Sequence, residues 1–440
     1  MAIAIQVRIP QIQGDDIVTQ LAGTLPGGQL FSATLRSDAS NLLPWMSAAT
    51  WVTLDFCLLS QFVYGIDRTI PRRPNSVDGW SREIDVSFPV YELRQWQGQK
   101  AKWEEILCFL TGDYWKVRFY KNTLEIPELA IEEKYQRDFS AVQLFSGGLD
   151  SLVGAIDKLE LDARPVLFVS HYDGNMHGPK KDQGQLAPEL EDKYGDRFVR
   201  LPSLHVNISQ TALSTRETTS RSRSILFLGL ALLLADNKTN RIEVPENGIV
   251  SVNYPLSPSR RSACSTRTTH PFFLHHIEEL WQSLGIETVI HTPYWNKTKR
   301  EVVRECQNQA FLKRLIPLSN SCGKRGHRAH WDDTGTHCGI CMPCFYRRAS
   351  LRGRNDNTEY GNSIADFVNS RTEKWQDFGA LLEFLRREIT DEEIKREIIA
   401  NGLQNVHRLH DYIALIRRSR DEVRRWVIAS GNANVRNQLQ

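Results

Sequence analysis

The chain has 440 residues, too many for one ordinary domain, so two or three are expected. Charged residues make up 24% and hydrophobic residues 41%, the balance of a soluble globular protein and not of a disordered or membrane-spanning one. A net charge of +3 gives no global electrostatic case for nucleic-acid binding.

Residues 1–138 form a first region, predicted to be a β-rich domain. Met1 to Pro10 alternates like a strand and lacks the long apolar core of a signal peptide. A cytoplasmic, reducing setting is therefore expected, in which cysteines serve as thiols or metal ligands. Thr50 to Leu58 and Ile84 to Tyr91 also read as strands, separated by turn clusters such as Pro71 to Asn75. Trp45, Trp51, Trp80, Trp96, Trp103 and Trp115 make the region rich in tryptophan. Indoles filling a core account for this best; a surface that docks a partner protein is the other reading.

Residues 139–354 alternate strands and helices. Strands are predicted at Val142–Phe145, Pro165–Ser170, Phe198–Leu201, Ile249–Asn253 and Thr288–His291. Helical patterns fall at Leu149–Leu159, Leu186–Tyr194, Ile225–Ala235 and Phe272–Leu284. The alternation predicts an α/β fold, a parallel sheet with helices on both faces. Ile225–Ala235, the longest apolar run, is too short to span a bilayer. Residues 355–440 read as a helical C-terminal region. Its last helix carries Arg417, Arg418, Arg420, Arg424 and Arg425: a solvated face, or a weakly supported contact for an acidic partner or RNA.

The segment Ser146-Gly147-Gly148-Leu149-Asp150-Ser151 links the first strand of the middle region to its first helix. Two glycines let the backbone approach an anion without Cβ clash. The helix start adds unpaired N–H groups and a favourable dipole. Ser146 and Ser151 supply hydroxyls, and Asp150 is placed to hold Mg²⁺ on bound phosphates. No Gly-Lys-Ser/Thr follows, so this is not a Walker A loop. It resembles the pyrophosphate loop of the N-type ATP pyrophosphatases, which split ATP between the α and β phosphates.

The second signature is Cys338-Gly339-Ile340-Cys341-Met342-Pro343-Cys344, with Cys322 upstream. Four thiolates close a tetrahedral Zn²⁺ site, which marks it as structural. His327, His330 and His337 compete for the fourth place, and an iron–sulfur cluster is the chemical alternative. Cys57, Cys108, Cys264 and Cys306 are scattered and read as buried small hydrophobes.

Loop and cysteine array together resemble the 7-cyano-7-deazaguanine synthases (QueC). Arg223-Ser224-Ile225-Leu226-Phe227-Leu228 is similar to that family's helix start, and Thr292-Pro293 with Thr298-Lys299-Arg300-Glu301-Val302-Val303 to another of its segments. The resemblance covers residues 139 to about 350. It implies an adenine nucleotide alpha hydrolase-like fold with ATP, Mg²⁺ and Zn²⁺ as cofactors. It also implies adenylation of a 7-deazaguanine carboxylate, then attack by an amine. Asp150, Arg223 and Lys299 would be the catalytic residues, the last two neutralising charge on the phosphates.

Three departures stand out. The loop between Cys322 and Cys338 is long, the family's base-recognition stretch is missing, and regions are added at both ends. Pro245 to Gly248 and Thr266 to Pro271 stand in that place, with Glu246 or Asn247 as partners for a purine edge and His270 as a pocket residue. The enlarged form resembles the QueC-like proteins of bacterial anti-phage systems. This implies partner proteins of a defence operon and an amine on one of them as acceptor. Plain nitrile synthesis, tRNA thiolation with Cys264 as the only loose thiol, and a nucleotide-sensing scaffold are the alternatives.

Overall fold

The structure, a computed structural model, describes residues 2–174, 178–256, 267–325, 336–354, 356–369, 372–403 and 406–439. Six strands come from the first region: β1 (Ile3–Val7), β2 (Gln11–Gln13), β3 (Asp16–Thr24), β4 (Leu30–Asp38), β5 (Glu83–Val90) and β6 (Tyr114–Lys121). Seven follow: β7 (Val142–Leu144), β8 (Val166–Val169), β9 (His171–Tyr172), β10 (Phe198–Arg200), β11 (Leu204–Thr211), β12 (Arg241–Glu243) and β13 (Val289–His291).

They form two sheets. The first is mixed, in the order β6-β5-β1-β3-β4-β11-β9, with β2 on β3. The second is parallel throughout, in the order β10-β8-β7-β12-β13. Neighbouring residues of β8 face opposite sides of this sheet, as the period of two requires. Val166 and Phe168 enter a core with the helices Leu149–Leu161 and Pro179–Tyr194. Leu167 and Val169 enter another, shared with the helix Arg223–Ala235 and most of the first region.

Two predicted strands are helices. Thr50–Leu58 lies within the helix Trp51–Thr69, capped by Thr50, whose hydroxyl accepts from the Thr53 N–H. Every residue from Thr53 to Thr69 is buried, so there is no polar face to reveal a helical period. Ile249–Asn253 overlaps the short helix Gly248–Val252, capped by Asn247; the fourth strand is instead β12. A short apolar run carries too few residues to distinguish the two periods. The tryptophans divide: Trp45, Trp96, Trp103 and Trp115 are buried, Trp80 is half-buried, and Trp51 is 50% exposed.

The first region is not laid on the rest as a separate bead. Two of its sheet's strands, β9 and β11, come from beyond the Gly loop. The helices Trp51–Thr69 and Arg223–Ala235 cross so closely that a Cβ on Gly229 would lie 2.0 Å from Ser60 Oγ. Ser60 is fully buried and donates to the Cys57 carbonyl, so it has nowhere to retreat. Gly229→Ala should therefore destabilise the protein by about 1–3 kcal/mol, although alanine is the better helix former. Chemical denaturation checks this; a variant as stable as wild type would show that the crossing has slack.

A third core lies in the C-terminal region, where Phe345, Phe378, Leu385, Leu415 and Trp426 pack beside the four cysteines. The arginines of the helix Leu409–Ser430 are mostly used internally. Arg417 pairs with Asp391, Arg418 with Glu301, and Arg420 and Arg424 donate to the carbonyl of Leu385. Among the described residues, no helix is long and apolar enough to cross a membrane.

Candidate functional site

In the parallel sheet the chain runs outward from β7 through β8 to β10, then returns to β7's other side for β12 and β13. The order of strands thus reverses at β7, and such sheets open a crevice at the carboxyl ends of the strands at that point. Ser146 to Ser151 follows β7 directly, and Glu246 and Asn247 follow β12. Both segments therefore lie at the carboxyl end of their strand, where such a crevice forms.

Gly147 has φ +84°, a left-handed conformation that a side chain resists, and a Cβ there would press on the Gln183 backbone at 3.2 Å. Gly148 is the N-cap of the helix Leu149–Leu161. Its N–H donates to Ser146 Oγ (3.3 Å), and Ser151 Oγ donates to the Gly148 carbonyl (2.9 Å). Beneath the turn, Gln183 Nε2 donates to the carbonyls of His171 (3.0 Å) and Ser146 (3.4 Å).

Asp150 and Lys299 meet: the ammonium donates to Asp150 Oδ2 at 2.5 Å. Asn247 Nδ2 donates to the same oxygen at 3.0 Å and to Glu246 at 3.2 Å. Burial opposes the Asp150 charge, but Lys299 together with hydrogen bonds from Glu246 and Asn247 outweighs it and holds the carboxyl below its usual pKa. Glu246 is pushed well above the usual carboxylate range, by burial and by the charge on Asp150. Glu246 faces the Asp150 carboxylate directly and is within hydrogen-bonding reach of it. Two carboxyl groups thus stand beside one lysine, and their shifts run in opposite directions.

Arg223 stands apart from this pair. Its guanidinium lies over the Phe227 ring at 5.4 Å, beside Tyr64, Asp173 and Arg68, and burial lowers its pKa. Among the described residues no ion pair joins it to Asp150 or Lys299. The first region sets this helix start: Ser222 donates through N–H (3.1 Å) and hydroxyl (2.8 Å) to Asp67. Asp67 belongs to a buried quartet with Arg72, Arg82 and Asp113, joined at 2.6–2.8 Å. His171 stacks edge-on against Tyr64 and Phe227, and burial lowers its pKa to about 3. Its buried Nδ1 has no partner among the described residues.

Among the described residues, no hydrogen bond or ring contact joins His270 to Asp150, Lys299 or the Gly loop. It caps the helix Pro271–Ser283 and stacks on Phe109, 5.1 Å away. Asn247, a purine-edge candidate in the sequence, instead reaches Asp150 and caps the helix Gly248–Val252, and Gln183 under the loop carries no motif in the sequence.

Sγ atoms of Cys322, Cys338, Cys341 and Cys344 all lie within 4.8 Å of one another, and all four residues are buried. This group is able to hold a metal such as zinc, whose Zn–S distance of about 2.3 Å fits such spacing. His337 is not part of it: its Nε2 accepts from the Ser321 N–H (3.2 Å) and its Nδ1 meets Thr336 Oγ1 (3.0 Å). His327, His330 and Cys264 lie outside the described residues. Cys57 and Cys306 are buried and Cys108 half-buried, all as free thiols.

The cysteine group and the Gly loop touch. Immediately before Cys322, the Asn320 N–H donates to the Gly147 carbonyl (2.9 Å), and Ser321 Oγ accepts from the Leu149 N–H (3.4 Å). Compared with protein-family models, with curated proteins and with solved structures, the chain matches none.

Proposed function

We propose that the crevice beside β7 binds ATP and Mg²⁺ and transfers the adenylyl group to a carboxylate, with release of pyrophosphate. The observation that carries this reading is the left-handed turn at Gly147, between a central parallel strand and a helix N-terminus, with Lys299 on Asp150 beside it. Helix N–H groups and the ammonium offer positive charge to a pyrophosphate. Asp150, a buried carboxylate set among Lys299, Asn247 and Glu246, offers an oxygen to Mg²⁺, which prefers one or two carboxylates plus phosphate oxygens. Mg²⁺ would neutralise charge on the leaving group.

The resemblance to the QueC-like proteins supports a 7-deazaguanine carboxylate as acyl substrate and an amine as acceptor. In an anti-phage setting that amine belongs to a partner protein. Arg223 then serves a part of the substrate away from the Asp150–Lys299 pair, on the side where the first region closes the crevice. Because that region shares a core with the parallel sheet, its contribution is tested by point variants and not by deletion.

The test is mass spectrometry of purified protein with ATP, Mg²⁺ and 7-carboxy-7-deazaguanine, with ammonia or with operon partner proteins. AMP together with a mass gain on a partner is expected. AMP with only free amide or nitrile would replace protein modification by small-molecule synthesis. No AMP would defeat the adenylation reading of this substrate.

A further inference from the structure

Lys299 opens the short helix Lys299–Arg304, and the turn before it decides where the ammonium goes. Thr298 and Glu301 form a capping box. Thr298 Oγ1 accepts from the Glu301 N–H (3.1 Å), and Glu301 Oε2 accepts from the Thr298 N–H (2.9 Å). Such a box satisfies the helix start without outside help.

Here the C-terminal helix Leu409–Ser430 holds it as well. The Thr298 hydroxyl donates to Glu422 at 2.9 Å. Arg418 donates to Glu301 Oε1 and to the Asn296 carbonyl, both at 2.8 Å. Residues 418 and 422 lie one turn apart on one helix face, so a single face grips both halves of the box. The next residue along from Thr298 is the lysine on Asp150. Thr298 and Lys299 are both buried, so a shift of the turn passes directly to the ammonium.

We infer that Arg418 and Glu422 are positioning residues for Lys299, through which the C-terminal helix sets the charge pairing in the crevice. The consequence for ligand binding rests on the crevice being an anion site. The groups facing Glu422 are Thr298, Glu301, Arg300 and Arg418. Burial, opposed by the Thr298 hydroxyl, raises its carboxyl to about 7.

The experiment uses the full chain with Arg418→Leu, Glu422→Leu and Glu422→Gln, the last keeping an oxygen that can accept from Thr298. Lys299 exposure is read in ligand-free protein by its rate of labelling with an amine-acylating reagent, located by peptide mass spectrometry. Affinity is read by calorimetry with inorganic pyrophosphate, and the metal content is measured alongside. Both leucine variants should label Lys299 several-fold faster and bind pyrophosphate about tenfold more weakly, with metal content unchanged. Glu422→Gln should restore both values. Its labelling profile should also lack an inflection near pH 7 that wild type shows, since glutamine does not ionise. Wild-type labelling in folded Arg418→Leu or Glu422→Leu would overturn the inference. Should wild type fail to bind pyrophosphate, the anion-site reading falls, and the labelling rates still decide the positioning role.

Discussion

Lys299→Met will lower stability by about 3–5 kcal/mol, because it leaves the Asp150 carboxylate buried without its cation, and on the proposed adenylation it will also abolish AMP formation. Side chains of this pair are only 7% and 10% exposed, so solvent cannot replace the ammonium. The double variant Asp150→Asn, Lys299→Met removes the stranded charge as well. It should regain most of the lost stability and none of the activity, and urea unfolding with an AMP assay separates the two effects. Additive losses in the double variant would show that the pair is not coupled. The pH dependence has a definite sign. Asp150's folded pKa is depressed, so its pairing stabilises the protein above 3.8 and that contribution is lost as pH falls through the folded value. The methionine variant should lack this acid-dependent loss.

Cys341→Ala will lose the metal and, with it, the fold around the site. Structural zinc contributes roughly 10–16 kcal/mol of apparent binding energy in small domains, far more than any single hydrogen bond here. A wild-type protein with one colourless metal ion per chain and a metal-free, less thermostable variant are expected. Absorbance from an iron–sulfur cluster would change the metal, and full stability without metal would remove its structural role. Pyrophosphate binding should fall in parallel. Asn320 and Ser321, which hold the Gly147 carbonyl and the Leu149 N–H, are the two residues just before Cys322. A metal held by these cysteines would therefore also shape the Gly loop.

Sequence is legible where a local pattern has a local cause. The strand, Gly turn and helix around Asp150 stand out because glycine spacing and a change of hydrophobic period lie within a short stretch. The cysteine group stands out because three cysteines spaced two residues apart, with a fourth upstream, supply the four thiolates that close a tetrahedral metal site. Trp51–Thr69 reads in part as a strand because complete burial erases the helical period. The bond from Asn247 to Asp150, the support from Gln183 and the Arg418–Glu422 grip are invisible, since each acts across a distance in sequence that only the fold closes. The mixed first sheet is likewise hidden, as nothing in β11 names β4 as its neighbour.

That pairing has a consequence for synthesis. Arg36 on β4 meets Ser209 on β11, 173 residues away. At roughly 5–20 residues per second, β4 waits about ten to thirty seconds on the ribosome for its neighbour to be made. Throughout that interval it is an open edge, able to pair with other nascent chains. Yield of folded protein should therefore depend on translation speed and on chaperones that shield such edges, more than on the final stability of either sheet.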